Sequence, residues 1–317
     1  MDATNKTKVL ITGGVGFLGR NLYSHLTSKG FDVISMVHKN RVRGQKIIFG
    51  DVLEQKSLKK AMNHVDFVVH CAAKMGHANK HELFKVNYEG TKNMIDVAIS
   101  SGVSKFIHIS TLAVADEYID HFNSNENIMY PTKIRNQYTT SKIEAEKYVV
   151  SHKKDLEVII LRPGWLWGPG DSSIKDLFKM IQDRHFGFIG DGHNLTYFTH
   201  ICNMVQAIEL AIVSKDIQSG EIFNITDGVK LNMETFVNTI ADGFHLPPVT
   251  RHVPIRVANL YAGVLERINP NSKITRQNVA ILSKNLHFDI SKAQKLLNYS
   301  PDKNYKGQIK GIIDTDF

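Results

Sequence analysis

The chain has 317 residues, 42% of them hydrophobic, so it can bury a sizeable core as one large or two modest domains. Its two cysteines, Cys71 and Cys202, have no paired spacing, which argues against a disulfide framework or a cysteine zinc site and favours a reducing, cytoplasmic location. The net charge of +8 is spread over scattered lysines and arginines, so we expect an anionic cofactor or an acidic membrane surface rather than nucleic acid. We expect no signal peptide, and no apolar run reaches the ~20 residues of a membrane span.

The segment 8–20 predicts a strand, a glycine turn and a helix in succession. The helical part is indicated by apolar residues at a spacing of four, namely Leu18, Leu22 and Leu26. This order suits the pyrophosphate of a dinucleotide, because glycines let the backbone approach the phosphates and the helix N-terminus presents free N–H groups. Two glycine registers are open: one starts at Gly13 and the other at Gly14, and both continue with Gly16 and Gly19.

Apolar runs and helical patterns alternate through the first half of the chain. The strand candidates are 31–37, 46–49, 65–70, 105–109 and 157–161. The helix candidates between them are 53–62, 80–100 and 134–152. This alternation predicts an α/β fold with a Rossmann-type doubly wound parallel sheet.

Beyond residue 170 the alternation loosens, which predicts a smaller, interleaved C-terminal substrate domain. Helices are predicted at 174–184, 233–244 and 255–268, with strands at 186–189, 195–199 and 221–225. We assign residues 1–170 to the dinucleotide-binding domain, with 198–226 returning to it, and residues 171–197 and 227–317 to the substrate-binding region.

The helix at 255–268 carries an apolar stripe edged by Arg256 and Arg267. We expect this stripe to pack in the core of the smaller domain, since that is where such stripes usually face. The alternative is an amphipathic helix at a membrane surface or over an apolar substrate entrance.

The residues after the second strand predict the choice of dinucleotide. An acidic residue at this position accepts hydrogen bonds from the ribose 2′-hydroxyl, whereas arginine or lysine accommodates a 2′-phosphate. Here the strand ends at Val37 and is followed by His38, Lys39 and Arg41, so we predict NADP(H), with NAD(H) possible and a solvated basic loop as the alternative. Asp51 follows the third strand, where it either accepts from the adenine amino group or serves as a turn residue.

Tyr138 and Lys142 are the candidates for acid–base chemistry. A spacing of four places both on one face of the predicted helix. A phenol titrates near pH ~10, and a neighbouring ammonium is the group that would lower its pKa. Ser110 and Thr111 end a predicted strand on the same side of the sheet, where a hydroxyl can hold a substrate oxygen.

Over nearly its whole length, the sequence resembles the extended short-chain dehydrogenase/reductases of the NAD-dependent epimerase/dehydratase superfamily. The segments that carry the resemblance are 12–19, 70–73, 87–91, 138–142 and 161–170. Further segments resemble the 3β-hydroxysteroid dehydrogenase branch, which includes sterol 4-carboxylate 3-dehydrogenases and reductases of long-chain 2-alkyl-3-oxo acids. These segments are 188–194, 198–201, 288–293 and 299–301.

The resemblance implies a role for each matching residue. Gly13 begins the family's glycine register, Tyr138 is the general acid–base, and Lys142 lowers the pKa of the phenol and binds the nicotinamide ribose. Thr111 aligns with the residue that polarises the substrate oxygen. The full expected cofactor set is Gly13, Gly16, Phe17, Leu18, Gly19, His38, Lys39, Arg41, Asp51, Val52, Ala72, Ala73, Tyr138, Lys142 and Pro163. The expected substrate set is Lys74, Met75, Ser110 and Trp165.

These observations predict an NADP(H)-dependent oxidoreductase that interconverts a 3-oxo and a 3-hydroxy group on an apolar substrate, either sterol-like or a long-chain 3-oxo acyl compound. The alternatives are a nucleotide-sugar epimerase, dehydratase or reductase, and a non-catalytic NADP-binding sensor. The resemblance suggests a homodimer, and peripheral membrane contact is possible. His77 and His81 have metal-ligand spacing but no well-placed third ligand, so we expect no metal.

Overall fold

A computed structural model of the chain describes residues 6–41, 43–75, 80–132, 134, 136–269, 272 and 274–316. In chain order the strands are β1 (Lys8–Thr12), β2 (Asp32–Val37), β3 (Ile47–Phe49), β4 (Phe67–His70), β5 (Lys105–Ile109), β6 (His121–Ser124), β7 (Glu157–Pro163), β8 (Trp165–Trp167), β9 (Phe188–Ile189), β10 (Phe198–His200), β11 (Glu221–Ile225), β12 (His252–Val253) and β13 (Leu286–Phe288). The helices are α1 (Phe17–Ser28), α2 (Gln55–Ala61), α3 (Lys80–Phe84), α4 (Gly90–Ser100), α5 (Gln137–Ser151), α6 (Ser172–Gln182), α7 (Ile201–Val213), α8 (Met233–Gly243), α9 (Ile255–Ile268), α10 (Arg276–Ile281), α11 (Ser291–Leu297) and α12 (Tyr305–Asp316).

The centre of the fold is a seven-stranded parallel sheet in the order β11-β7-β5-β4-β1-β2-β3. The chain builds outward from β1 to β3 and then crosses back to β4 on the other side of β1. In open α/β sheets the ligand crevice lies beyond the carboxyl ends of the strands at such a reversal. The fold therefore places a binding crevice above the ends of β1 and β4.

Helices cover both faces of this sheet, which explains why its inner strands read as continuous apolar runs. On one face, α1 and α7 bury residues such as Leu22, Leu26 and Ile208 against the strands. On the other face, Leu58, Met94 and other residues of α2, α4 and α5 form a second core. The predicted Rossmann-type α/β fold is confirmed.

A smaller core lies to the C-terminal side of the crevice. It is built around aromatic residues of the short strands and of α8, chiefly Trp167, Phe188, Phe198 and Phe236. Three parallel strand pairs, β8/β10, β9/β12 and β6/β13, connect distant parts of the chain here. β11 joins the main sheet beside β7, whereas α6, α8 and α12 pack in the smaller core. The exact domain boundaries stay a prediction.

The range expected to be helical over 80–100 is helical throughout, with a π-helical turn at Lys85–Glu89 between α3 and α4. One expectation about a helix is wrong. The apolar stripe of α9 does not pack in the core. That helix instead buries its small residues Ala258, Ala262 and Gly263, and it packs on α10 through the contact of Ala258 and Ala262 with Val279. Among the described residues, no helix is long and apolar enough to span a membrane.

Candidate active site

The turn between β1 and α1 is closed by glycines. Gly13 has φ +72°, a conformation that L side chains rarely adopt, and its carbonyl accepts a hydrogen bond of 2.9 Å from the N–H of Gly16. A Cβ at Gly19 would collide with the same Gly13 oxygen, and a Cβ at Gly14 would collide with Ser35 of β2. At Gly13, Gly14 and Gly19 a residue with a Cβ would therefore be strained or would collide with neighbouring atoms.

The N-terminus of α1 is suited to an anion. Gly16 is its N-cap and provides no side-chain hydrogen bond, and the first turn, which contains Phe17 and Leu18, has no acidic residue. The first N–H groups of the helix thus have no carboxylate competing for them, and they carry the positive end of the helix dipole. Together with the glycine turn, these features fit the pyrophosphate of a dinucleotide.

A chain of buried hydrogen bonds joins the ends of β1 and β4 to α4. The backbone N–H of Ala72 donates to Thr12 Oγ1, which lies 2.8 Å from Nδ1 of His70. Nε2 of His70 lies 3.0 Å from Thr91 Oγ1, and that hydroxyl donates to the carbonyl of Asn87. Because the Thr91 proton is already used, Nε2 of His70 carries a proton. Burial lowers the pKa of His70 to about 3, so the ring is neutral at ordinary pH and Nδ1 accepts from Thr12.

Asn87 fixes the segment that follows β4. Its Oδ1 accepts from the backbone N–H of Lys74, and its Nδ2 donates to the Lys74 carbonyl and to Ser141 of α5. The backbone of Ala72 lies 3.1 Å from where a Gly13 Cβ would be. The expected cofactor residues Ala72 and Ala73 are thus next to the glycine turn. The segment that contains them is fixed by Asn87, which bonds both the backbone N–H and the carbonyl of Lys74.

The three candidate catalytic residues converge beyond the carboxyl end of β5. Thr111 lies two residues beyond the end of this strand, and its side chain is near the Tyr138 phenol. Lys142, one turn along α5, is buried and donates to the carbonyl of Ile109 at 2.7 Å. Asn136 caps α5 by accepting from the N–H of Thr139, so the helix begins at the place that presents Tyr138 to the crevice.

The electrostatics of this group differ from the expectation that Lys142 lowers the pKa of the phenol. Burial raises the pKa of Tyr138 above its ordinary value, and the nearby charge of Glu117 raises it further, while the bond with Thr111 acts in the opposite direction. Burial also lowers the pKa of Lys142 to about 8, against the favourable charge of Glu146. The ammonium is held at the Ile109 carbonyl, and the phenol keeps its proton at neutral pH.

Two features of this site were not found from the sequence. Glu146 lies one turn beyond Lys142 on α5 and forms a buried ion pair of 2.6 Å with Arg162, to which Tyr130 adds a hydrogen bond. The spacing of four between Lys142 and Glu146 was a local signal that could have revealed it. Its partner Arg162 lies on β7, and only the folded chain brings the two together.

Glu117 is the second such feature. It is buried near Tyr138 and accepts hydrogen bonds from the Tyr197 hydroxyl at 2.6 Å and from the Gln277 amide at 2.9 Å. Burial raises the pKa of this carboxyl, which opposes the effect of its two donors. No local pattern connects residues 80 and 160 positions apart, so this contact could not be predicted from the sequence.

The expected adenosine end is assembled at the edges of β2 and β3. Val37 pairs with Phe49, and the guanidinium of Arg41 lies 5.4 Å from the centre of the Phe49 ring. His38 and Asp51 form a contact of 3.4 Å, and Asp51 also closes a turn by accepting from the N–H of Leu53. The residues predicted to bind the adenosine end, among them His38, Arg41 and Asp51, are therefore close together. Asp51 also acts as a turn residue, which was the alternative considered for it. The exposed Lys39 extends the basic edge, and Val52 is buried behind Asp51.

The expected substrate residues are divided between buried and exposed positions. Ser110 is buried, and its hydroxyl has no hydrogen-bond partner among the described residues. Trp165 is half-buried and packs on Phe198. The Lys74 ammonium pairs with Glu82 at 2.6 Å, and Met75 is 70% exposed. Pro163, expected at the cofactor, ends β7 and is buried.

The comparisons with known proteins agree with this geometry. The model of the NAD dependent epimerase/dehydratase family matches residues 9–226. The chain belongs to this family. The mouse (Mus musculus) sterol-4-alpha-carboxylate 3-dehydrogenase, decarboxylating, is 31% identical over 322 residues, which covers 95% of this chain and 88% of that protein. The 2-alkyl-3-oxoalkanoate reductase of Stenotrophomonas maltophilia (strain K279a) is 28% identical and covers 83% of each chain.

The solved structure of MoeE5 in complex with UDP-glucuronic acid and NAD has a TM-score of 0.78 and 22% identity and covers 98% of both chains. At that identity it confirms the fold alone. The chain is an oxidoreductase of the epimerase/dehydratase family that uses a nicotinamide cofactor, and the resemblance to the 3β-hydroxysteroid dehydrogenase branch is confirmed.

No cluster of three or more histidine, cysteine or acidic side chains that could bind a metal occurs within the described ranges. His77, one of the two histidines weighed as metal ligands, lies outside those ranges.

Proposed function

We propose that this chain is an NADP(H)-dependent oxidoreductase that interconverts a 3-oxo and a 3-hydroxy group on an apolar substrate. The observation that carries the proposal is the convergence of Thr111, Tyr138 and Lys142 beyond the end of β5, beside the glycine turn of α1. The glycine turn fits the pyrophosphate, and the three side chains fit a substrate oxygen. The bound cofactor supplies or accepts a hydride at nicotinamide C4.

The residues of the chain handle the proton and the substrate oxygen. Tyr138 keeps its proton at neutral pH and can donate it to the oxygen of a carbonyl as that oxygen becomes an alkoxide. The Thr111 hydroxyl, which lies near the Tyr138 phenol, positions the same oxygen. Lys142 adds positive charge behind the phenol and is fixed by the Ile109 carbonyl. Ser110, with its unpartnered buried hydroxyl, provides a second donor at this position.

Two observations support the finer parts of the proposal. First, β2 ends at Val37 without a carboxylate of its own, and the segment that follows it carries Lys39 and Arg41, which are the residue types that accommodate a 2′-phosphate. Second, the neighbourhood of Glu117 is apolar on the C-terminal side. A buried core cluster that includes Leu112, Ala115, Tyr197, Leu286 and Phe288 is packed there, so apolar rather than cationic residues border this side of the site.

The cofactor is tested by titrating the purified protein with NADPH and with NADH and following nicotinamide fluorescence. We expect tighter binding of NADPH, and a K39Q/R41Q variant should lose that preference. The exposed pair Lys154 and Lys310 offers a control with the same change in charge away from β2, so K154Q/K310Q should retain it. Tighter binding of NADH by the unmodified protein would contradict the NADP(H) proposal.

The reaction is tested by following NADPH oxidation with a long-chain 2-alkyl-3-oxo acid and with a 3-oxosteroid. Removal of a general acid typically lowers kcat by about 10²–10⁴-fold, and we expect this of Tyr138→Phe. The exposed Tyr261 allows a matched Tyr261→Phe control, which should retain activity. Unchanged turnover in Tyr138→Phe would refute the catalytic assignment. Strong thermal stabilisation by a nucleoside diphosphate sugar, without turnover of either 3-oxo compound, would instead favour the epimerase alternative.

A further inference from the structure

The outer face of α9 is apolar. We use this name for Val257, Leu260, Tyr261, Val264 and Ile268, which all point away from the core. Leu260 is 73% exposed and Ile268 is 76% exposed. A helix on a protein surface normally buries its large apolar residues and exposes its polar ones. In α9 this arrangement is reversed.

The reversal is built into the packing of the helix. The inner face consists of small residues, and Ala258 and Ala262 contact Val279 of α10. A Cβ at Gly263 would collide with the guanidinium of Arg276. The small inner residues Ala258 and Ala262 let α9 pack closely on α10, and Gly263 leaves room for the Arg276 side chain. The large apolar side chains lie on the opposite, outer face of the same helix.

The rim of the outer face is cationic. Arg251, Arg256 and Arg267 are exposed along the segment 251–267, whose single acidic residue is Glu266. Glu266 accepts a hydrogen bond from the backbone N–H of Arg276 and lies 3.8 Å from its side chain. An apolar strip beside uncompensated arginines is complementary to a bilayer that contains anionic lipids, because lipid chains contact the strip and headgroups contact the arginines.

The charges also argue against a second copy of the chain as the occupant. In a two-fold symmetric contact the same patch is used on both protomers. Two such faces would bring their arginine rims together, and like charges at close range oppose association. A lipid surface satisfies both the apolar residues and the arginines.

A short series of contacts connects α9 to the candidate active site. α9 packs on α10, and Gln277 of α10 donates to Glu117, which lies near Tyr138. A bilayer in contact with α9 would thus lie against a helix that is linked to the candidate active site through α10.

We propose that the outer face of α9 binds the surface of an anionic lipid bilayer and inserts its apolar side chains at the headgroup boundary. This binding requires no catalysis. Membrane binding would let the protein take up an apolar substrate directly from the bilayer, and this role rests on the function proposed above. Membrane binding and turnover can fail separately, and they are measured separately.

The test is flotation of the purified protein with vesicles, in physiological salt. One set of vesicles is phosphatidylcholine and the other is phosphatidylcholine with phosphatidylserine at about 7:3. We expect binding to the anionic vesicles, a loss of at least about tenfold in L260E/V264E, and a loss of about fivefold per arginine in R256Q/R267Q. The exposed apolar residues Val213 and Leu296 provide a matched control, and V213E/L296E should bind as the unmodified protein does.

Thermal unfolding and NADPH binding of each variant establish that the fold is retained. The changed side chains are exposed, so we expect both to be unaffected. The proposal is overturned if the unmodified protein does not float with anionic vesicles, or if L260E/V264E floats equally well. It is also overturned if L260E/V264E dissociates a dimer in analytical ultracentrifugation while vesicle binding is unchanged, since the occupant is then a second copy.

Discussion

His70 should make the protein markedly less stable in mild acid. The ring is buried, accepts from Thr12 and donates to Thr91, and no described carboxylate is hydrogen-bonded to it. Burial, followed by the charge of Lys142, lowers the pKa of His70 from the ordinary 6.5 to about 3. The unfolded chain binds a proton at this residue below pH 6.5, whereas the folded chain does not until the pH approaches 3.

The size of the effect follows from the two pKa values. Each tenfold difference in proton affinity corresponds to about 1.4 kcal/mol, so stability that is fully present above pH 6.5 falls by about 1.4 kcal/mol per pH unit below it. Between about pH 7 and pH 4.5 the loss due to His70 alone is about 2.5 kcal/mol. That is a substantial part of the 5–15 kcal/mol by which folded proteins are typically stable.

The assay is urea unfolding at a series of pH values, with tryptophan fluorescence as the probe. His70→Gln keeps a donor and an acceptor but cannot titrate, so its free energy of unfolding should depend less steeply on pH than that of the unmodified protein. The exposed His185 allows a His185→Gln control, which should follow the unmodified protein. Only slopes are compared, so a lower stability of His70→Gln at neutral pH does not affect the result. Parallel curves for His70→Gln and the unmodified protein would refute the reasoning.

Three further results are expected. Arg162→Met should lower the free energy of unfolding by about 3–5 kcal/mol, because it leaves the charge of Glu146 buried and unpaired. The double variant E146L/R162M should recover most of this loss in thermal or urea unfolding. An Arg162→Met variant as stable as the unmodified protein would contradict this prediction. Glu146→Gln removes the charge that raises the pKa of Lys142, so the alkaline limb of the kcat–pH profile should move to lower pH, and an unmoved limb would argue against this coupling. Gly19→Ala should abolish NADPH binding in a fluorescence titration because its Cβ collides with the turn, whereas Gly311→Ala, with open space around it, should bind normally.

Local sequence patterns determined the elements and the chemistry that lies within one element. The strand at 105–109, the strand at 221–225 and the helix at 255–268 have the observed bounds, because each is defined by periodicity among near neighbours. The strand, glycine turn and helix at 8–20 are also as expected. Tyr138 and Lys142 were found together because residues four apart share a helix face.

Only the tertiary structure decided which groups meet across the chain. β6 pairs with β13 over more than 150 residues, and Glu117 meets Gln277 over a similar separation. Such contacts depend on strand order and register, which no local periodicity encodes. Burial also set the pKa of Tyr138 and Lys142, since desolvation is a property of everything packed around a group.

The choice of which face of α9 is buried also shows what the sequence determines and what the tertiary structure decides. Its sequence determined a helix with one apolar stripe, and that stripe would suit either a core or a membrane. Whether the stripe or the small residues face inward depends on what packs beneath the helix. Here α10 packs against Ala258 and Ala262, so the small residues face inward and the large side chains face outward.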